Sequence, residues 1–191
     1  MTSTDPRVNS VGDLILTDPE AMRALAHPIR LALLDRLQLE GPATAAELAD
    51  ELEVTAPPIR EHLQELETFG LVRETEEEDS WSAATKGLVF EIPDNPEGAE
   101  AARQLSNMML LRSADLPGQW AAEDEPRLGP EWVRAAGVIN SRVTLTPDEL
   151  RGLQEGLEQL LAPFITREAD DIPFGASRVR ILSYFLPEGA E

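Results

Sequence analysis

The sequence lacks cysteine altogether and contains only two histidines among its 191 residues. The absence of cysteine excludes disulfides, cysteine-ligated zinc, iron–sulfur clusters and cysteine nucleophiles. Two histidines are too few to build a histidine-rich metal site. We therefore expect neither a metal nor another cofactor, and the sequence singles out no cofactor-binding residue.

Long apolar runs are also missing from the chain. No stretch of about 18 or more apolar residues is present, so a transmembrane helix is not expected. Residues 1–11 are polar and lack the basic and then apolar pattern of a secretory signal. The composition, 42% hydrophobic and 27% charged, is typical of a folded globular protein. These features predict a cytoplasmic protein without a membrane partner.

Familiar catalytic patterns do not occur in the sequence. There is no Gly-x-x-x-x-Gly-Lys-Ser/Thr loop, no His-Glu-x-x-His and no Gly-x-Ser-x-Gly. Carboxylates are abundant, but nothing in their spacing distinguishes a catalytic pair. We therefore do not expect an enzyme.

Positive charge is scarce, with 16 Lys and Arg against 36 Asp and Glu and a formal net charge of −20. Residues 18–87 alone carry 6 basic and 16 acidic side chains, a net of −10. General affinity for nucleic acid comes from Lys and Arg contacts to phosphate. The charge therefore excludes a protein that coats nucleic acid, and any binding to DNA must be specific and rest on a few arginines.

The N-terminal half carries strong helix signals. Residues 1–17 are interpreted as a flexible leader, and Asp18-Pro19 predicts the beginning of a first helix. Pro28 interrupts the apolar stripe that follows, which indicates either two helices in succession or one helix broken near His27. The pattern ends at Gly41-Pro42.

Two further helices and a hairpin follow in the sequence. Thr44-Ala-Ala-Glu47 is a capping box that opens the third helix. Thr55 begins a fourth helix, whose apolar positions recur at helical spacing as far as Phe69. Two strand-like segments, 71–75 and 81–85, flank an acidic run and predict a β-hairpin with a charged tip. This order is typical of a helix-turn-helix domain with a wing.

The motifs of this region resemble a known family. ALAHPIRLALLDRL at 24–37 and TAAELADELEVTAPPIREHLQELETFGLV at 44–72 resemble winged helix-turn-helix transcriptional regulators of the ArsR type, over about residues 18–90. The resemblance implies a homodimer that reads a pseudo-palindromic operator in double-stranded DNA, with residues 56–69 in the major groove. Metal-sensing members use cysteines and histidines, so this chain is expected to be a regulator, repressor-type, that does not sense metals.

The C-terminal half has a different character, and Pro93, Pro96 and Gly98 indicate a domain boundary. We expect a winged domain at 18–92 and a smaller strand–helix–strand domain within 93–191, so the fold class is mainly α with α+β elements. The predicted strands are 138–145 and 178–186, on either side of a helix that begins at Pro147. This half loosely resembles C-terminal extensions of such regulators. We assign to it dimer contacts and, if the protein responds to a small molecule, the effector site.

Candidate DNA-binding residues follow from the placement of the fourth helix and the hairpin. Arg60 is expected to pair with guanine, and Gln64 with adenine or a phosphate, unless both are simply solvated. His62 is expected either to reach DNA or to pack within the domain. Arg73 and Lys86 flank the hairpin and are candidates to hold phosphates. The full set of predicted DNA-binding residues is Thr44, Thr55, Pro57, Pro58, Arg60, Glu61, His62, Gln64, Arg73 and Lys86.

The acidic run in the hairpin supports an alternative from another functional class. A wing that enters the minor groove is normally basic, whereas residues 76–79 here are all acidic. The alternative is a protein-interaction module, in which a winged helix uses its acidic surface to bind a protein partner or to mimic DNA. A solvated loop explains the same run without either function.

Overall fold

The computed structural model describes residues 8–9, 11–76 and 79–189. Its chain divides into two compact units, Met1–Thr146 and Pro147–Glu191. The fold class agrees with the sequence prediction: the protein is mainly helical, with an N-terminal winged helix-turn-helix and a smaller C-terminal part. Within the described ranges, no helix is both long and apolar enough to cross a lipid bilayer.

Proline separates the first two helices, as the sequence predicts. Helix α1 spans Pro19–Leu25, and the Asp18 side chain accepts a hydrogen bond from the Glu20 amide at its beginning. Helix α2 spans Pro28–Glu40 and is capped by His27, whose Nδ1 accepts from the Ile29 amide. Both helices bury apolar side chains in one common core.

Helices α3 and α4 form the predicted helix-turn-helix. Helix α3 spans Ala45–Glu51 and has both halves of the capping box, between Thr44 and Glu47. Helix α4 spans Ala56–Thr68 and holds its two prolines in the first turn, where a missing amide donor costs little. Gly70 follows α4 at φ 69°, and this left-handed conformation suits glycine after a helix.

The wing is a three-stranded antiparallel sheet. Strand β2 is Ala43–Thr44, β3 is Val72–Glu74 and β4 is Ser80–Ala83, with β4 in the centre. The predicted hairpin is therefore present, since β3 and β4 pair with Val72 opposite Ala83. Pairing of β2 with β4 joins the wing to the beginning of α3.

A second, parallel sheet corrects the prediction of a flexible leader. Strand β1 (Leu14–Leu16) pairs with β5 (Leu88–Phe90), and Leu14 and Leu16 are buried. The apolar end of residues 1–17 is therefore ordered because it covers the core of the winged domain. Residues 1–7 and 10 of that predicted leader lie outside the described residues.

Helix α5 spans Pro96–Ser113 and packs against α1 through a buried strip of small and apolar residues. Arg23 of α1 pairs with Glu97 at 2.7 Å, and Arg112 pairs with Asp35 of α2 at 2.8 Å. This packing explains why the first compact unit continues beyond residues 93–98. The separate functional domain at 93–191 remains a prediction. The buried strip consists of Gly98, Ala101, Ala102 and Leu105.

The chain between α5 and the second unit is more helical than its composition indicates. Helices α6 (Leu116–Gln119) and α7 (Pro130–Ala135) lie on either side of a π-helical turn and a short 3₁₀ helix. Residues 138–145, predicted to form a strand, contain neither strand nor helix. Strands are stabilised by ladder hydrogen bonds, and no described segment pairs with this one.

The second unit contains the predicted helix but not the predicted strand. Helix α8 spans Pro147–Ile165, and a short 3₁₀ helix follows at Ala169–Asp171. Residues 178–186 form no strand among the described residues, although their sequence is rich in β-branched and aromatic residues. The described fold of this unit is therefore a single long helix with irregular chain, in place of a strand–helix–strand.

Candidate nucleic-acid interface

The turn between α3 and α4 fixes the direction of the second helix. The Leu52 amide donates to the Leu48 carbonyl, and the Val54 amide donates to the Ala49 carbonyl at 2.9 Å. Glu53 between them has φ 54°, a left-handed conformation that a residue with a side chain adopts at some cost. Hydrogen bonds on both sides hold this conformation, so α4 leaves the turn in one defined direction.

Helix α4 is anchored by one face and exposes the other. Ile59, Leu63 and Leu66 are completely buried against the other helices of the domain. The opposite face consists of polar side chains and of the prolines in the first turn. The predicted residues on this exposed face are Thr55, Pro57, Pro58, Arg60, Glu61 and Gln64.

Arg60 contacts the wing. Its Nη2 donates to Asp79 Oδ2 at 2.6 Å, and the Arg60 and Asp79 side chains are 56% and 29% exposed. Asp79 lies in the turn before β4 with φ 58°, and its carbonyl accepts a hydrogen bond from the Ala45 amide. The arginine with the strongest predicted role in base reading is thus held by a carboxylate of the wing.

His62 does not lie on the exposed face of α4. It is half-buried, and its ring centroid is 4.7 Å from that of His27, with the two planes inclined by 37°. Burial, together with the positive charge of Arg30, lowers the pKa of both imidazoles below 6.5. This placement supports the packed alternative for His62, as part of the contact between α4 and the beginning of α2.

The remaining predicted residues lie around the edge of the helix-turn-helix. Thr44 is half-buried, and its hydroxyl accepts a hydrogen bond from the Glu47 amide in the capping box. Arg73 is exposed on β3, where its Nε donates to Ser82 Oγ at 3.3 Å. Lys86 is exposed in the segment between β4 and β5. The structure brings Arg60 and the wing together and leaves Thr44 in a capping role.

Three of the six basic residues in 18–87 make intramolecular contacts away from the exposed face of α4 and the wing. Arg23 pairs with Glu97. Arg36 forms a bidentate ion pair with Glu51, in which Nε donates to Oε2 at 2.6 Å and Nη2 donates to Oε1 at 2.8 Å. Arg30 donates to the Ala24 carbonyl across the break between α1 and α2. The basic groups near the exposed face of α4 and the wing are Arg60, Arg73 and Lys86.

The acidic tip of the wing is described in part. Glu74 and Glu76 are exposed, Asp79 is half-buried, and residues 77 and 78 lie outside the described residues. The sequence does not predict the contact of Asp79 with Arg60, since residues 76–79 form one acidic run that fits either a solvated loop or a surface for a protein partner. A contact between residues 19 positions apart has no signature in local periodicity, so its prediction requires the arrangement of the wing over α4.

Comparison with known proteins agrees with this geometry. A family model described as a helix-turn-helix domain matches residues 25–75, from the end of α1 to the end of β3. No curated protein matches the chain. The chain therefore contains a helix-turn-helix domain, and the match supports a DNA-binding regulator.

Proposed function

We propose that the protein is a transcriptional regulator of the repressor type that does not sense metals and binds operator DNA as a homodimer. The observation that carries this proposal is the exposed face of α4, whose buried side is fixed by the core while Arg60 and Gln64 point away from it. A helix held in this way can enter the major groove without rearrangement of the domain.

Arg60 and Gln64 supply sequence reading in this proposal. The two side chains lie one helical turn apart on the exposed face, so they reach neighbouring base pairs. Arginine donates two parallel hydrogen bonds to guanine O6 and N7, whereas glutamine donates to adenine N7 and accepts from the adenine N6 amino group. Glu61 lies beside Arg60 and can accept from a cytosine amino group.

The beginning of α4 supports apolar contacts in preference to phosphate binding. Pro57 and Pro58 have no amide N–H, so the first turn lacks two of the donors with which helix N-termini hold phosphate. Their exposed rings, next to Thr55, offer an apolar surface that suits the methyl group of thymine. Arg73 on β3 and Lys86 after β4 are the candidates for phosphate contacts.

The other parts of the proposal rest on composition and on the family resemblance. The sequence has no cysteine, so the thiolate ligands of metal-sensing regulators cannot form. A two-fold dimer matches a pseudo-palindromic operator and places two copies of α4 about one helical turn of DNA apart. We assign dimer contacts, and a small-molecule effector site if the protein has one, to residues 93–191, and we place the protein in the cytoplasm.

Selection from a random duplex library tests this function. The purified protein is expected to enrich a two-fold symmetric site and to shift it at low salt in preference to a scrambled duplex. Arg60→Ala should weaken binding to the selected site by about 1–3 kcal/mol, the value of one bidentate arginine–guanine pair. Arg134→Ala removes the same charge from an exposed position of α7 and should leave binding unchanged. The proposal fails if the wild type selects no sequence and Arg60→Ala behaves identically.

The exposed carboxylates of the wing favour a second function, binding of a basic protein partner. Glu74 at the end of β3 and Glu76 just after it are exposed on the part of the wing that would otherwise approach phosphate. Replacement of both by serine separates the two functions. The regulator is supported if DNA affinity rises and capture from lysate loses no protein, and the interaction module is supported if a captured basic protein is lost while DNA affinity stays negligible.

A further inference from the structure

The ion pair between Arg60 and Asp79 joins the DNA-reading face of α4 to the wing, which are separate elements of the fold. We infer that Asp79 is a positioning residue that holds the Arg60 guanidinium for base reading and thereby sets the sequence discrimination of the protein. This inference rests on the proposed function, because it concerns the same interface.

Asp79 is the more firmly fixed member of the pair. Its carbonyl accepts a hydrogen bond from the Ala45 amide at the first turn of α3, at 3.2 Å. The next residue, Ser80, is buried and pairs with Thr44 in the sheet. The carboxylate therefore occupies a position set by α3 and β4, whereas Arg60 has a long and largely exposed side chain. Of the two groups, the guanidinium is the one that gains order from the contact.

The contact leaves Arg60 able to bind a base. A guanidinium carries five N–H donors in one plane, and Asp79 accepts from Nη2 alone in the contact described. The donors that remain include a parallel pair, which is what guanine O6 and N7 require. Because the guanidinium plane is already oriented, less side-chain freedom is lost when the base pair is read.

The carboxylate has a second, opposing effect on DNA affinity. A negative charge beside the reading face repels the phosphates of any duplex, whatever its sequence. Asp79 is therefore expected to lower general affinity while it raises the preference for the correct site. This combination separates a positioning role from a purely electrostatic one, because removal of charge alone changes specific and general binding by the same factor.

Substitutions at position 79 must tolerate its positive φ. Asp79→Gly and Asp79→Asn both suit a left-handed conformation, so the turn of the wing is retained. Glycine removes the contact to Arg60 entirely, and asparagine keeps its shape but removes the charge. Glu76→Gln is the matched control, since it removes one exposed charge from the same wing. Thermal melting of each variant is the control that tests whether the domain remains folded.

The experiment measures affinity for the selected duplex and for its scrambled counterpart by fluorescence anisotropy. Asp79→Gly is expected to reduce the ratio of the two affinities about fivefold or more, with a smaller reduction for Asp79→Asn, because a misplaced arginine loses its bidentate pair. Glu76→Gln should strengthen both affinities equally and leave the ratio unchanged. In an Arg60→Ala background, Asp79→Gly should no longer change the ratio, which shows that the two residues act together.

The outcomes for the inference and for the proposed function are distinct. If the wild type discriminates between the duplexes and Arg60→Ala loses that discrimination, the function stands. The inference is then overturned if Asp79→Gly and Asp79→Asn leave the ratio unchanged or raise it, since Asp79 would then be neutral or a competitor of DNA. If the wild type shows no discrimination, the proposed function and the inference both fail.

Discussion

The contact between His27 and His62 joins the beginning of α2 to the middle of α4. His27 therefore both caps α2 and packs against α4. His27 Nδ1 accepts a hydrogen bond from the Ile29 amide, which requires an unprotonated nitrogen at that position. Arg30 lies close enough to disfavour a charge on either ring. The neutral form of both imidazoles is therefore the one that fits this part of the domain.

This arrangement predicts that acidification weakens the fold through the two histidines. Burial and Arg30 lower both pKa values in the folded protein, so the folded state binds protons less readily than the unfolded chain. The stabilisation is fully present above the ordinary histidine pKa of 6.5 and is lost as the pH falls below it. Melting temperatures recorded at successive pH values between about 5.5 and 7.5 should fall more steeply for the wild type than for His62→Gln. Parallel curves for the two proteins would contradict the prediction.

Leu63 is a core residue of α4 that is expected to contribute strongly to the stability of the domain. Its side chain is completely buried, although its neighbours in the sequence of α4 include exposed residues. Leu63→Ala should lower the free energy of unfolding by about 2–5 kcal/mol, because it removes buried methyl groups and leaves a cavity. Urea denaturation measures this loss. Glu65→Ala, at an exposed position of the same helix, should change stability by less than about 0.5 kcal/mol.

At the scale of elements, the local signals in the N-terminal half predicted the helix-turn-helix well. Capping residues, first-turn prolines and Gly70 mark the ends of α1 to α4, and these features act within a few residues of the chain. The segments 138–145 and 178–186 have the composition of strands, but a strand also needs a neighbour. That requirement is tertiary, and neither segment has a ladder partner among the described residues.

In the candidate site, too, the features set by neighbouring residues were predictable from the sequence, whereas the contacts between distant elements were not. Helical periodicity separates the buried Leu63 from the exposed Arg60 and Gln64, so the exposed face of α4 was predictable. The partners of Arg60 and His62 were not predictable, because they lie in the turn before β4 and just before α2. For Thr44, the sequence predicted the capping box that the structure contains. The predicted contact of the same side chain with DNA stays a prediction.

The capping box of α3 provides a test at this scale. Thr44→Ala removes the hydroxyl that accepts from the Glu47 amide and should cost about 1 kcal/mol of stability, whereas Thr44→Ser should retain most of it. Chemical denaturation of the three proteins measures the difference. Equal stability of the wild type and Thr44→Ala would show that the cap contributes nothing. If Thr44→Ala remains folded but loses DNA affinity that Thr44→Ser retains, the predicted contact of the Thr44 hydroxyl with DNA is supported.

The protein as a whole has a net charge of −20, and few of its basic groups lie near the exposed face of α4 and the wing. Arg73 and Lys86 are the proposed phosphate contacts of each protomer, so a dimer neutralises about four phosphates. The slope of log affinity against log salt concentration should therefore be about −4 or shallower. Arg73→Ala should reduce its magnitude by about 2 per dimer, as anisotropy titrations across a salt series would show. A steep slope that this variant leaves unchanged would place the phosphate contacts elsewhere.

The engagement of Arg23, Arg30 and Arg36 inside the fold has a consequence for how such a regulator searches a genome. Chromosomal DNA offers about a million or more competing sites, which retain most copies of a strongly basic regulator. A protein with a net charge of −20 and few basic groups available to phosphate is expected to be retained only weakly by this excess of DNA. If the proposed function holds, nearly all of its copies are expected to remain free in solution, so occupancy of the operator should follow the total number of molecules.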